Sequence, residues 1–166
     1  SASATESGAG GTIVAWSNIK DSNSVTSVYG TLIAKGIDGD GGQIETSGAV
    51  LNYNGIKVDT SSVSGSYGNW LLDPTNLTVG SSEASTYVSN LASTNVNVTA
   101  DNTITVNSAI SYGGGRSNGT LTFTSASTVL NANVGSSSNS LNVVFASAVK
   151  LGADVTINTR GGDLTL

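Results

Sequence analysis

Thr120-Leu121-Thr122-Phe123-Thr124 alternates polar and apolar side chains one residue at a time. That period of two is the mark of a β-strand with one face buried. The pattern extends in both directions. Upstream lie Asn95-Val-Asn-Val-Thr99 and Thr103-Ile-Thr-Val-Asn107. Downstream come Thr128-Val-Leu-Asn-Ala-Asn-Val134, Leu141-Asn-Val-Val-Phe145, Asp154-Val-Thr-Ile-Asn158 and Asp163-Leu-Thr-Leu166. Between them sit turn-forming clusters of Gly, Ser and Asn, such as Tyr112-Gly-Gly-Gly-Arg-Ser-Asn-Gly119 and Gly135-Ser-Ser-Ser-Asn-Ser140.

The strands fall into a register. Val98, Leu121, Leu141 and Leu164 recur at spacings of 23, 20 and 23 residues, and Ile104, Val129 and Val149 at 25 and 20. Ile110, Val134 and Val155 make a third column. Three apolar columns repeating together, with no crossover helices, predict an all-β fold. It is a right-handed parallel β-helix of ~20–25 residues per coil, stacking its columns coil upon coil. Asn at the corners tolerates the left-handed conformation and forms amide ladders. A β-sandwich would need paired hairpins on two-residue turns. Asn54-Gly55, Asn118-Gly119 and Asp38-Gly39 are present, but they do not alternate with strands of matched length.

One segment departs from period two. In Ser82-Glu-Ala-Ser-Thr-Tyr-Val-Ser-Asn-Leu91, apolar residues fall at 84, 87, 88 and 91, the spacing of one helix face. This predicts a short helix near 83–92, capped by Ser82, carried by an insertion over 75–95 and lying against the side of the solenoid.

Composition narrows the function. Only 10% of the 166 residues are charged, the net charge is −5, and the six Lys and Arg residues are scattered at 20, 35, 57, 116, 150 and 160. No patch forms that could neutralise a run of phosphates, which argues against nucleic acid. No apolar run approaches the ~20 residues that cross a bilayer, so no membrane insertion is expected, and the opening residues carry no signal-peptide pattern. Cys and His are absent. That removes disulfides, thiolate chemistry, the commonest zinc ligands and any Ser-His-Asp triad.

The N-terminal half carries a resemblance. Gly10-Gly-Thr-Ile-Val-Ala-Trp-Ser17, Tyr29-Gly-Thr-Leu-Ile-Ala34, Gly39-Asp-Gly-Gly-Gln-Ile-Glu-Thr-Ser-Gly48 and Trp70-Leu-Leu-Asp-Pro-Thr75 follow one another in order. This succession resembles the exoproteins of Gram-negative two-partner secretion, the filamentous-haemagglutinin-like and high-molecular-weight adhesins, over about residues 9–166. Gln43-Ile44 keeps one apolar residue where that family has two, and the family's N-terminal secretion domain with its Asn-Pro-Asn motifs is missing. The chain therefore reads as a single β-helix segment, 1–166, of a longer exoprotein. The resemblance implies a secreted, extracellular or cell-surface structural segment of an adhesin or fibre, mediating attachment or cell–cell contact. Its partners would be an outer-membrane transporter during secretion and a host or neighbouring-cell surface. Coils at 10–48 and 141–166 have no obvious caps. Their edges are expected to be covered by the rest of the exoprotein, or by a second copy in end-to-end self-association.

The two quoted motifs have local readings. In Gly41–Gly48 the glycines make a tight corner, Ile44 and Thr46 point inward, and Glu45 and Ser47 point to the other face. In Asn69–Thr75, Trp70 and Leu72 point inward, and Pro74 ends the pairing after Asp73.

No catalytic or cofactor-binding residue stands out, and an enzyme is not expected. Asp38, Asp40 and Glu45 are weak candidates for a Ca²⁺ ion, with incomplete ligand spacing. Asp59, Asp73, Asp101, Asp154 and Asp163 are spread one per coil. The alternative reading is a carbohydrate-active β-helix enzyme or a polysaccharide-binding module. It would need two carboxylates and a base in one groove, near Arg116 or Arg160. Asn76, Asn97 and Asn118 open Asn-X-Ser/Thr sequons, with Asn118 the best placed for glycosylation. Thr103 and Thr105, with Thr120, Thr122 and Thr124, could form a flat threonine array of the ice-binding sort, or simply the solvent face of strands.

Overall fold

Parallel pairing needs a long way round from one strand to the next, and this chain supplies it with coils rather than helices. The computed structural model describes all residues, Ser1–Leu166. Every ladder in it is parallel. The first turn holds β1 (Thr12–Trp16), β2 (Val25–Ser27) and β3 (Thr31–Ile33). The second holds β4 (Gln43–Gly48), β5 (Val50–Asn52) and β6 (Lys57–Asp59). The third holds β7 (Asn69–Pro74), β8 (Leu77–Val79) and the helix α1 (Ser81–Asn90). The fourth and fifth are β9 (Asn95–Val106) with β10 (Ile110–Tyr112), and β11 (Gly119–Leu130) with β12 (Val134–Ser136). The sixth is β13 (Leu141–Phe145), β14 (Val149–Leu151) and β15 (Ile157–Asn158), after which β16 (Leu164–Thr165) begins another. The result is a β-solenoid of about six turns, consistent with a parallel β-helix. Its first face has the order β1-β4-β7-β9-β11-β13-β16.

The inward column of that face is Ile13, Ile44, Trp70, Val96, Leu121, Val143 and Leu164. Beside it runs Ala15, Thr46, Leu72, Val98, Phe123 and Phe145. Successive members of the first column lie 31, 26, 26, 25, 22 and 21 residues apart. Twenty-six buried apolar residues join into one cluster, so all turns share a single core. Burying one such aliphatic or aromatic side chain contributes roughly 1.5–3 kcal/mol. Phe123 and Phe145 stack at 5.4 Å.

The expected register needs three corrections. Val98 does not stack on Leu121; Val96 does, and Val143 rather than Leu141 follows. In the third column Ile157, not Val155, continues Ile110 and Val134. Both are slips of two residues, which keep every side chain on the same face and so leave the hydrophobic pattern unchanged. The second column differs in kind. Thr128 lies on Ile104 and is fully buried, while Val129 pairs with Thr105 and is only half-buried. Between Ser125 and Ser127 the ladder with β9 shifts register: β9 spends one residue more at the corner than β11 does. The inward parity of β11 therefore flips from odd (Leu121, Phe123) to even (Thr128, Leu130).

Pro74 does not stop the strand after Asp73 either, since it pairs with Gly48 and is buried. Asn69 sends its N–H to Gly42 O on the β4 side (3.1 Å). Alternation then puts Pro74's missing donor on the β9 side, where pairing ends at Leu72–Val98. The reading of Ile44, Thr46, Trp70 and Leu72 as inward holds, each at 1% exposure or less. Thr46 does more than pack a methyl group, because its Oγ1 accepts the indole N–H of Trp70 at 3.0 Å. At the corner, a Cβ on Gly41 would overlap Thr60 O, and one on Gly42 would overlap Gly11 O. Neighbouring coils pass too closely there for any side chain.

The helix runs Ser81–Asn90, two residues earlier than expected. Gly80, not Ser82, is its N-cap, and Glu83 reaches back to the Gly80 N–H (2.9 Å). Ala84, Tyr87 and Leu91 are buried as the helical spacing requires. Its position is the surprise. It does not lie against the side of the solenoid; it takes the third-face place of the third turn, between β6 and β10. β8 is an ordinary wall strand paired with β9, so the departure from strand begins only after it.

A helix cannot continue a β-ladder, yet the free edge of β6 is fully bonded. Asn90 accepts the Val58 N–H on Oδ1 (2.6 Å) and donates Nδ2 to Ile56 O (3.0 Å), as a peptide unit of a neighbouring strand would. Gly55 N–H donates to Thr86 Oγ1 (3.1 Å), and Ser93 Oγ donates to Val58 O (2.7 Å). Beneath the helix, Tyr53 and Tyr87 share a hydrogen bond between hydroxyls (2.5 Å), and Tyr53 meets Trp70 edge-on at 5.9 Å. Burial pushes both phenols above their ordinary range.

The ends are partly closed. Ala2 and Ala4 donate to Ile33 O (2.7 Å) and Lys35 O (2.9 Å), so the opening residues cover the β3 edge that was expected to be bare. β1 and β16 remain the outermost strands of the first face, each with one unpaired edge.

Candidate functional site

The strands position outward side chains in columns as strict as the inward ones. On the first face Val14, Glu45 and Leu71 stack in one outward column, and Trp16, Ser47 and Asp73 in the next. Trp16 is 67% exposed and Val14 50%. Asp101, at the same corner one turn further on, adds a third carboxylate near Glu45 and Asp73. In the sequence these acids stand one per turn, and they meet only through the stacking of turns. Trp16 carries an unused signal in the sequence: it is one step out of phase with the inward Ile13 and Ala15, which marks it as outward.

Asp73 is the perturbed member. Burial raises its carboxyl above the usual 3.8, and the charges of Asp101 and Glu45 push the same way. Its Oδ1 is shut off from solvent and has no donor. The loop before β2 reaches the third turn beside it, where Thr75 Oγ1 donates to Ile19 O (3.4 Å). Glu45 accepts Ser47 Oγ at 2.9 Å.

Asp38, Asp40 and Glu45 are not gathered. Asp38 accepts the Gly8 N–H and Asp40 the Ser66 N–H (2.8 Å), so both serve as turn acceptors, while Glu45 stands on the open face. No group of three or more acidic side chains is close enough to hold a metal ion. Asp59 pairs with Lys35 at 2.8 Å. Burial would raise its carboxyl, but hydrogen bonds from Lys35 and Ser61 outweigh burial and lower it. Asp154 and Asp163 are exposed.

The basic residues stand elsewhere. Arg116 lies 4.3 Å over the Tyr67 ring and donates Nη2 to Asn95 Oδ1, at the opposite end of the first face from Asp73. Burial lowers its pKa, and neither Arg116 nor Arg160 meets a carboxylate. Arg160 sits in an exposed left-handed turn (φ 51°). Clefts along the third face are lined mainly by Ser, Thr, Asn and small or aliphatic residues; Asp59, already paired with Lys35, is the one carboxylate in them and Lys57 the one base. Two carboxylates and a base in one groove are thus not assembled at Arg116 or Arg160.

The remaining candidates separate by geometry. Asn118 is exposed in a left-handed turn (φ 57°), with its Oδ1 accepting Ser140 Oγ (2.7 Å). Asn76 is exposed in the turn between β7 and β8. Asn97 is half-buried and donates Nδ2 to Asn69 Oδ1 (3.3 Å), a rung of the expected amide ladder. Asn131 and Asn107 form another rung (2.8 Å). The threonines do not form a flat array. Thr122 lies between Asn97 and Val144, and Thr105 is followed by Val129. No protein-family model, no curated protein and no solved structure matches the chain.

Proposed function

We infer that the chain is a rigid structural segment of a secreted bacterial surface exoprotein or fibre, of the two-partner-secretion kind, that holds an adhesive surface away from the cell. The observation that carries this reading is the unbroken parallel ladder of the first face, running from β1 to β16 over one shared core. Such a stack is stiff along its axis, because each turn is bonded to the next by a parallel ladder on this face. The ordered motifs from Gly10 to Thr75 support the family. Weak contacts repeated over many copies would then give firm attachment to a host or neighbouring cell. The open edges of β1 and β16 fit either further coils of the same exoprotein or end-to-end stacking of copies.

The test is made on the parent protein in its own cells. Antibody raised against this segment should label intact cells. Labelling should vanish when the gene for a neighbouring outer-membrane transporter with periplasmic POTRA domains is deleted. A parent protein that stays inside the cell, or reaches the surface without such a transporter, overturns the reading.

A further inference from the structure

Outward positions of a solvent-facing β-wall ordinarily carry Thr, Asn and Ser, and in the later turns most do, with the half-buried Val129 and Val144 as exceptions. The first three turns differ. Val14 and Trp16 project from β1, and Leu71 continues the Val14 column two turns on. Set among them are the carboxylates of Glu45 and Asp73. At a strand separation of about 4.8 Å and a same-face step of about 7 Å, the patch measures about 10 by 7 Å. That suits one or two side chains of a partner.

The charge of the patch limits the partner. Its acids lack a counter-ion: the one ion pair of the chain, Lys35–Asp59, lies on the third face. Lys20, in the neighbouring loop, pairs with none of them. Asp73 is held against the charges of Asp101 and Glu45 with nothing opposing them. A second copy is a poor occupant, since the chain carries −5 with six scattered basic residues, and the same face of a copy would bring like charges together. An exposed indole beside unpaired carboxylates matches a cation on an apolar stem: the ring face attracts it, the carboxylates pair with it, and Val14 and Leu71 take the stem. We propose that the Val14–Trp16–Glu45–Leu71–Asp73 patch docks a partner protein segment that presents arginine or lysine next to an apolar residue. This goes beyond the display role and does not depend on it.

The chain contains two tryptophans, and Trp70 is fully buried, so a change in emission on binding reports Trp16. The intact chain is titrated with a blocked hexapeptide of alternating arginine and leucine, and with its glutamine–leucine analogue. The first should give a saturable blue shift that weakens with salt. The analogue should bind about tenfold more weakly, from the loss of cation–π and ion-pair contacts. Fluorescence anisotropy of labelled peptide should show a similar loss for the E45Q/D73N double variant and no saturable binding to W16A. D154N, at a distant exposed acid, should bind as the parent does. Circular dichroism confirms that the variants fold, as expected for exposed or half-exposed positions. Equal binding of the two peptides, or undiminished binding to W16A, overturns the proposal. So does a saturable shift of Trp16 by maltoheptaose with none by the arginine peptide, which would assign the patch to sugar stacking.

Discussion

The first three turns and the last three use one architecture and hold it together differently. In turns four to six, backbone pairs with backbone on all three faces, spacings settle at 25, 22 and 21 residues, and the inside is mostly aliphatic with a phenylalanine stack, joined by buried Tyr112, Thr128 and Ser136. In turns one to three the spacings are 31 and 26, a helix stands where a strand should, and side chains carry out backbone work. Asn90 bonds like a peptide unit, Thr46 holds the Trp70 indole, and Tyr53 and Tyr87 share a buried hydroxyl pair. Regular coils tolerate polar change and fail on loss of volume. The irregular ones should fail on either.

The largest test is loss of volume at the joint between the two styles. Trp70 is fully buried, lies on Val96 of the fourth turn, and meets Tyr53 edge-on. Trp70→Ala should cost about 4 kcal/mol in urea unfolding, from lost transfer energy plus the cavity. It also removes the indole donor from the Thr46 hydroxyl, which keeps only its long bond to Leu71 O (3.4 Å). A loss below about 1 kcal/mol would mean that the aromatic cluster is not part of the shared core.

The second test sets one polar side chain from each region against the other. Asn90→Leu leaves the Val58 N–H and Ile56 C=O buried and unpaired, at roughly 1–3 kcal/mol for each orphaned group, so about 3 kcal/mol is expected. Asn131, which makes an exposed amide rung to Asn107, bonds side chain to side chain and leaves no backbone group stranded. Asn131→Leu should change stability by less than about 0.5 kcal/mol. Chemical denaturation of the two variants side by side checks the contrast. Equal losses would remove the distinction between the regions.

The same division governs what could be read from the residues. Alternation from Asn95 onward is enough to set strand type, coil size and, away from the corner of β11, the inward face, because each of those depends only on neighbours in sequence. Ala84, Tyr87 and Leu91 likewise announced a helix. Register was another matter. A slip of two residues leaves the hydrophobic pattern intact, so nothing local distinguished Val96 from Val98 as the partner of Leu121. The corner where β11 saves a residue on β9 was equally silent, and it reversed the parity at Thr128 and Val129. Asn90, a weak helix former by propensity, is the substitute for a strand. Its role depends on β6, more than thirty residues earlier. Glu45, Asp73 and Asp101 sit one per turn, and only the stacking brings them together.

That carboxylate group gives the smallest effect and the one with a clear sign. Asp73 binds its proton more tightly folded than unfolded, because burial and then Asp101 and Glu45 disfavour its charge. In the window between the ordinary value of 3.8 and the raised folded value, the native state holds more protons than the unfolded chain. Stability therefore falls as pH rises through that window, and the deficit persists at neutral pH. Asp73→Asn removes the titration. At pH 7 the variant should be more stable than the parent, by less than about 1 kcal/mol because the site is partly solvated. Below the window the difference should vanish, since the parent carboxyl is then neutral in both states. Thermal unfolding of the two proteins across pH 3–7 measures it. A variant less stable than its parent at pH 7 would mean that Asp73 accepts a stabilising hydrogen bond in its charged form. Its place among the acids would then carry no cost.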